Sequence, residues 1–207
     1  MTKKYKLAIT LVYAFACISL GLVFILAKTY HIPFEKFTGD PALISNSNPF
    51  IGIISNVGVL FWCATASVCF FSGRLLWSFG NKNQAVFLIY SGGFTTILLI
   101  DDFFMFHDSA VYYLINNDFA QYTILLSYAI FALWYLINFY KMLWKQNYIL
   151  IGFAFFFLGS SVFTDFILES GGLEYFIEDG LKFFGIVSWL LFFVITSHKL
   201  VLENYKL

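Results

Sequence analysis

Residues 84–106 read QAVFLIYSGGFTTILLIDDFFMF. From Gln84 to Ile100 there are 17 residues without a charge, and then Asp101 and Asp102 stand together before apolar residues resume. At 1.5 Å of helical rise per residue, that run carries the chain about 25 Å. A hydrocarbon core is about 30 Å thick, so a helix crossing it holds Asp101 about one turn below the surface. Ionisable groups inside a span are costly and rare, which makes them candidates for function.

The same pattern recurs along the chain. Six apolar runs, near 7–27, 50–73, 84–106, 119–140, 148–168 and 177–198, are long enough to span, at about 20 residues each. The 207 residues are 60% hydrophobic, 22% aromatic and only 12% charged, where a soluble domain carries roughly 25% charged residues. The expectation is an all-α, polytopic membrane helical bundle: six transmembrane helices in a single transmembrane domain, 1–207. The first run follows Met1-Thr2-Lys3-Lys4-Tyr5-Lys6. Its apolar stretch is too long for a signal peptide and no small-residue cleavage site follows, so an uncleaved first helix is expected.

Basic residues set the orientation. Lys3, Lys4, Lys6, Arg74, Lys82, Lys141, Lys145, Lys199 and Lys206 fall on one side of a six-span path, nine of the 12 Lys and Arg. Eleven of the 12 Asp and Glu fall on the other. Both termini are therefore expected in the cytoplasm. The longest connection, 28–49, contains Pro33, Gly39-Asp40-Pro41 and Ser45-Asn46-Ser47-Asn48-Pro49, and reads as an outer loop with turns. Cys17, Cys63 and Cys69 lie in apolar runs at no metal or redox spacing and read as small hydrophobes. The net charge of zero points away from a nucleic-acid partner.

The acidic side holds the candidate site. Asp101, Asp102, Asp108, Asp165, Glu169, Glu174, Glu178 and Asp179 sit at the ends of apolar runs, with His107 and Lys182. Asp165 lies 17 residues past Tyr148, as Asp101 lies 17 past Gln84, so the two share a depth. Asp101, Met105 and Asp108 share one helical face, Asp165 and Glu169 another. Glu174, Glu178 and Lys182 form a stripe that continues into Gly185 and Trp189. Asp102 and Asp179 project from other faces, and Asn56 lies at a similar depth. A weak internal repeat is visible: Gly92-Gly93-Phe94-Thr95-Thr96 precedes Asp101-Asp102, and Gly159-Ser160-Ser161-Val162-Phe163-Thr164 precedes Asp165.

Carboxylates in one low-dielectric pocket repel one another. A bound cation, shared protons or the ammonium of Lys182 would relieve this. Oxygen donors with a single imidazole suit Mg²⁺, Ca²⁺ or Mn²⁺ better than Zn²⁺. On this reading the metal ligands are Asp101, His107, Asp108, Asp165, Glu169, Glu178 and Asp179, with Asp102 and Lys182 as catalytic groups. Haem is not expected, because His31 and His198 make no opposed pair. Each residue also has a plainer role. Asp101-Asp102 could mark a wet helix end, Glu174, Glu178 and Asp179 could complement a helix dipole, Lys182 could snorkel or pair with Glu178, and His107 could be a turn residue.

The pattern Asp-Asp-Phe-Phe-Met-Phe-His-Asp (101–108), followed by Glu-Asp-Gly-Leu-Lys-Phe-Phe-Gly (178–185), resembles that of uncharacterised bacterial multipass membrane proteins. The resemblance implies the plasma (inner) membrane of a bacterium and no particular activity; the basic residues are what put the acidic site outside. Ceramidase-like membrane hydrolases do not fit, since the second and third His ligands are missing. Microbial rhodopsins do not fit either, since a seventh helix with a mid-membrane Lys is missing.

Three functions follow as expectations. The first is a metal-dependent membrane enzyme, possible as a hydrolase, acting on a lipid-like substrate with a metal-activated water. The second is a cation or proton channel or transporter. The third is a non-catalytic subunit of a membrane complex. Membrane lipids are the expected partners, with a homo-oligomer compatible. The inner halves of the spans offer few polar groups, among them Thr65, Ser67, Ser91 and Ser127, which favours a blind cavity over a pore.

Overall fold

The computed structural model describes residues 3–39, 41–48, 50–106, 118–167 and 172–205; for residues 3–6, 8, 43, 118–122, 165–167 and 172–175 it describes the backbone alone. The described chain is all-α. In order the helices are α1 (Lys3–Thr29), α2 (Glu35–Thr38), α3 (Pro41–Ile44), α4 (Ile53–Ser78), α5 (Lys82–Phe104), α6 (Asp118–Lys145), α7 (Tyr148–Ile167) and α8 (Gly172–Tyr205). Among the described residues, five helical stretches are long and apolar enough to cross a membrane: Ile9–Thr29, Ile53–Ser78, Lys82–Phe104, Thr123–Lys145 and Phe176–Tyr205. Tyr148–Thr164 is a shorter apolar helix. Leu126, Ile130, Leu133, Phe156, Phe163 and many like them are exposed. A surface this apolar is stable against lipid and not against water. The chain is an integral, multipass helical membrane protein.

The chain divides into two units, Met1–Ile51 and Gly52–Leu207. In the first, the segment after α1 is more ordered than its Pro, Gly and Asn content predicts. It forms the short turns α2 and α3, and Phe34 stacks on Phe24 of α1 with ring centroids 5.8 Å apart. His31, at φ 54°, supplies a left-handed bend between α1 and α2, and Asn46, at φ 51°, supplies another after α3.

In the second unit, side-chain pairs fix the packing directions. Asp102 meets Lys182, Thr95 meets Trp189 and Gln84 meets Asn204, so α5 and α8 run antiparallel. Asp101 with Tyr128, Phe94 with Phe131, and Phe87 with Phe139 make α5 antiparallel to α6 as well. Phe157 with Phe184 and Phe155 with Trp189 set α7 against α8. Arg74, Lys82, Lys141, Lys145 and Lys199 thus gather at one end of this unit, and Asp101, Asp102, Glu178 and Asp179 at the other.

Spacing between helices follows side-chain size. At the α4–α5 contact, a Cβ on Gly73 would lie 3.0 Å from Ile89 Cγ1 and 3.2 Å from the Ala85 carbonyl oxygen. Small residues of this kind let membrane helices approach closely. The α5–α6 contact is instead made of rings, with Phe87, Tyr90 and Phe94 against Phe131, Trp134, Tyr135 and Phe139. Its polar pin is Ser91 Oγ with Tyr135 Oη at 2.6 Å. At the basic end, Asn204 Nδ2 donates to Gln84 Oε1 at 2.7 Å, and Asn81 Nδ2 donates to Asn204 Oδ1. This ties the end of α8 to the α4–α5 turn. Hydrogen bonds between membrane helices contribute about 0.6 kcal/mol each on average.

Candidate ligand-binding site

Close α4–α5 packing and wide α5–α6 packing leave a gap toward the acidic end. It is a cavity of about 330 Å³ between α4, α5, α6, α7 and α8. Its floor is aromatic. Trp189 of α8 is fully buried, and Trp62, Phe94 and Phe155 meet its ring edge-on with centroids 6.0, 5.7 and 5.5 Å away. Edge-to-face geometry is the favoured one for such rings. Trp189 is pinned by its Nε1, which donates to Thr95 Oγ1 at 3.0 Å. Leu98, Leu125, Ala129, Ala132, Leu158 and Val162 continue the apolar wall.

The other end of the cavity is polar. Asp101 and Asp102 line it from the last turns of α5, and Glu178 and Lys182 line it from α8. Asp101 and Asp102 are only 6% and 8% exposed. Tyr128 of α6 donates its hydroxyl to Asp101 Oδ1 at 2.9 Å. Lys182 Nζ lies 2.5 Å from Asp102 Oδ1. The second oxygen, Asp102 Oδ2, is buried and has no hydrogen-bond partner among the described residues. It faces α4, 4.0 Å from where a Cβ on Gly58 would sit. α5 ends directly beyond this pair: Met105 takes φ 52°, and its N–H bonds the Asp101 carbonyl as a left-handed cap.

Of the residues singled out by sequence, the structure brings Asp101, Asp102, Glu178 and Lys182 to one cavity. Asp102, set on a different helical face from Asp101, lines the same space because α5 is enclosed on several sides here. Asp179 is exposed and borders a small void beside Asp102, Ser55 and Lys182. Asn56 is exposed and is not part of the cavity wall. His107, Asp108 and Glu169 lie outside the described residues, as do the side chains of Asp165 and Glu174. Among the described residues, no three His, Cys, Asp or Glu side chains gather as metal ligands. Sequence reasoning missed Tyr128 and the Trp62–Phe94–Phe155 floor. The stripe Glu178, Lys182, Gly185, Trp189 was the signal that led from the charged end to the aromatic one.

Seven residues separate Asp101 from Phe94 on α5, and seven separate Lys182 from Trp189 on α8. The polar end and the floor are therefore about 10 Å apart along the helices. The cavity is thus elongated, polar at one end and apolar at the other. Its volume is at the small end of the range for ligand pockets, about 300–1,000 Å³.

No curated protein and no solved structure matches the chain. The sequence model of one family, described as Domain of unknown function (DUF8692), matches residues 7–196. That match takes in the helices that build the cavity, and the chain belongs to the DUF8692 family.

Proposed function

We propose that this protein takes a lipid-like molecule from the membrane into the cavity of α4–α8 and handles its polar end at Asp101, Asp102 and Lys182. The observation that carries this reading is a cavity with an aromatic floor and a buried, charged opposite end, inside a bundle whose outer surface is apolar. In the full topology there are six spans with both termini cytoplasmic, α7 being the remaining one. The acidic end then faces outward, in the plasma membrane of a bacterium, as the Lys and Arg distribution and the likeness to bacterial multipass proteins support. A photoactivatable fatty alcohol added to membranes tests the binding. Crosslinks to α6 and α7 residues of the cavity wall are expected, and crosslinks spread evenly over the apolar surface would refute it.

The enzymatic form of this reading adds a divalent cation, Mg²⁺, Ca²⁺ or Mn²⁺, held by Asp101 with Asp108, Asp165, Glu169 and His107. The cation would supply an activated water. The ion pair at 2.5 Å weighs against Asp102 as the base, because the Lys182 ammonium already occupies one of its carboxylate oxygens. Metal content of the purified protein against Asp101→Asn, Asp165→Asn decides it. A second reading, proton or cation passage, is favoured by Thr196 and Ser197 of α8, whose hydroxyls are buried on the way to the basic end and have no hydrogen-bond partner among the described residues.

A further inference from the structure

The cavity walls differ in exposure. Trp62, Phe94 and Trp189, from α4, α5 and α8, are at most 4% exposed. Ala129 of α6 and Gly159 and Val162 of α7 also line the cavity, and all three are exposed. The cavity therefore opens sideways, through the α6–α7 seam. These two helices are held together near their turn at the basic end. There Trp144 stacks on Tyr148 at 4.7 Å, and Leu143 and Ile151 are buried. Toward the acidic end the seam is walled by small side chains, Ala129 and Ala132, and by Gly159, whose added Cβ would meet nothing within 4 Å. Leu126, Ile130, Phe156 and Phe163 flank it and are exposed to hydrocarbon.

The polar end has a charge preference. Among the described residues, three carboxylates line the cavity, Asp101, Asp102 and Glu178, and one ammonium, that of Lys182. A cationic head restores the balance, and an anionic head adds to the repulsion. The axial order also matches a leaflet. Charged groups lie at the acidic end, near the surface, and the aromatic floor lies about 10 Å deeper. An amphiphile of that leaflet, head outward and tail inward, enters through the seam without turning over.

Resting on the lipid-cavity reading, we infer that the site selects a single-chain amphiphile with an amine head, admitted sideways from the acidic-end leaflet between α6 and α7. The ammonium sits at the end of the cavity lined by Asp101, Asp102 and Glu178, and the chain runs down to Trp62 and Trp189.

The test uses the full chain in detergent with Trp77, Trp134 and Trp144 replaced by Phe, so that Trp62 and Trp189 alone report. The probes are 8-bromooctylamine, 8-bromooctanol and 8-bromooctanoate, whose bromine quenches a nearby indole. The amine is expected to quench at a concentration at least ten-fold lower than the alcohol, and the carboxylate most weakly. Asp101→Asn should reduce the amine's advantage over the alcohol to less than three-fold. Ala129→Phe, which fills the seam, should abolish quenching, and Val162→Phe gives a second closure should the first misfold. Equal quenching by all three probes, or a preference for the carboxylate, overturns the head-group inference and leaves the lipid cavity standing. No quenching by any probe overturns the cavity reading as well. Quenching that survives both Phe variants overturns the route.

Discussion

Lys182→Met tests the charged end of the cavity. Methionine keeps most of the apolar stem and removes the ammonium. The Asp102 side chain is 6% exposed and the Lys182 side chain 27%. Removing one partner of a buried ion pair costs about 3–5 kcal/mol, because the other charge stays buried and uncompensated. Lys182 is about a quarter exposed, so water screens part of this, and the lower end, about 3 kcal/mol, is expected. For a chain of this size that corresponds to roughly 6–12 °C in Tm. The double variant Lys182→Met, Asp102→Leu removes both charges and should return to within about 1 kcal/mol of the parent. The assay is reversible unfolding in mixed micelles with a denaturing detergent, run as a double-mutant cycle. A coupling of at least about 2 kcal/mol is predicted. If Lys182→Met costs less than about 1 kcal/mol and the double variant merely sums the singles, the pair is solvated and the reasoning fails.

Other outcomes follow from the same geometry. Gly185→Ala should destabilise by about 1–3 kcal/mol, since its Cβ would lie 2.7 Å from Leu158 Cγ and 3.0 Å from the Leu158 backbone nitrogen; Gly152→Ala, with nothing within 4 Å, should be neutral or gain up to about 1 kcal/mol, and equal effects in a melting assay would contradict the packing. Asn204→Leu should cost about 1–2 kcal/mol through loss of the contacts to Gln84 and Asn81, read as faster proteolysis near the α4–α5 turn. In a background lacking Cys17, Cys63 and Cys69, a cysteine at position 46 should react with an impermeant reagent added from outside and one at position 83 should not; the reverse pattern would place the acidic end in the cytoplasm.

Much of the helical order is legible in the sequence, because burying apolar runs in lipid demands helices and little else. Run 84–106 corresponds to Lys82–Phe104 and run 148–168 to Tyr148–Ile167. Run 50–73 is displaced, becoming Ile53–Ser78, because the helix continues past Arg74 to a tight turn closed by Gly80 at φ 89°. A charge does not end a helix; a left-handed residue does. The candidate site is legible only in part. Depth along each span is a count of residues, so Asp101 and Lys182 could be matched. Partners across helices are not counted by any periodicity. Tyr128 of α6 reaches Asp101, and Lys182 of α8 reaches Asp102, both on α5.

The cavity is proposed to hold a lipid-like molecule. Lipid mass spectrometry of the protein extracted from its membrane, compared with an Ala132→Trp variant that fills the cavity, tests it most directly. One enriched lipid species, near one per chain, is expected in the parent and is lost in the variant. The same lipid profile in both proteins would contradict it.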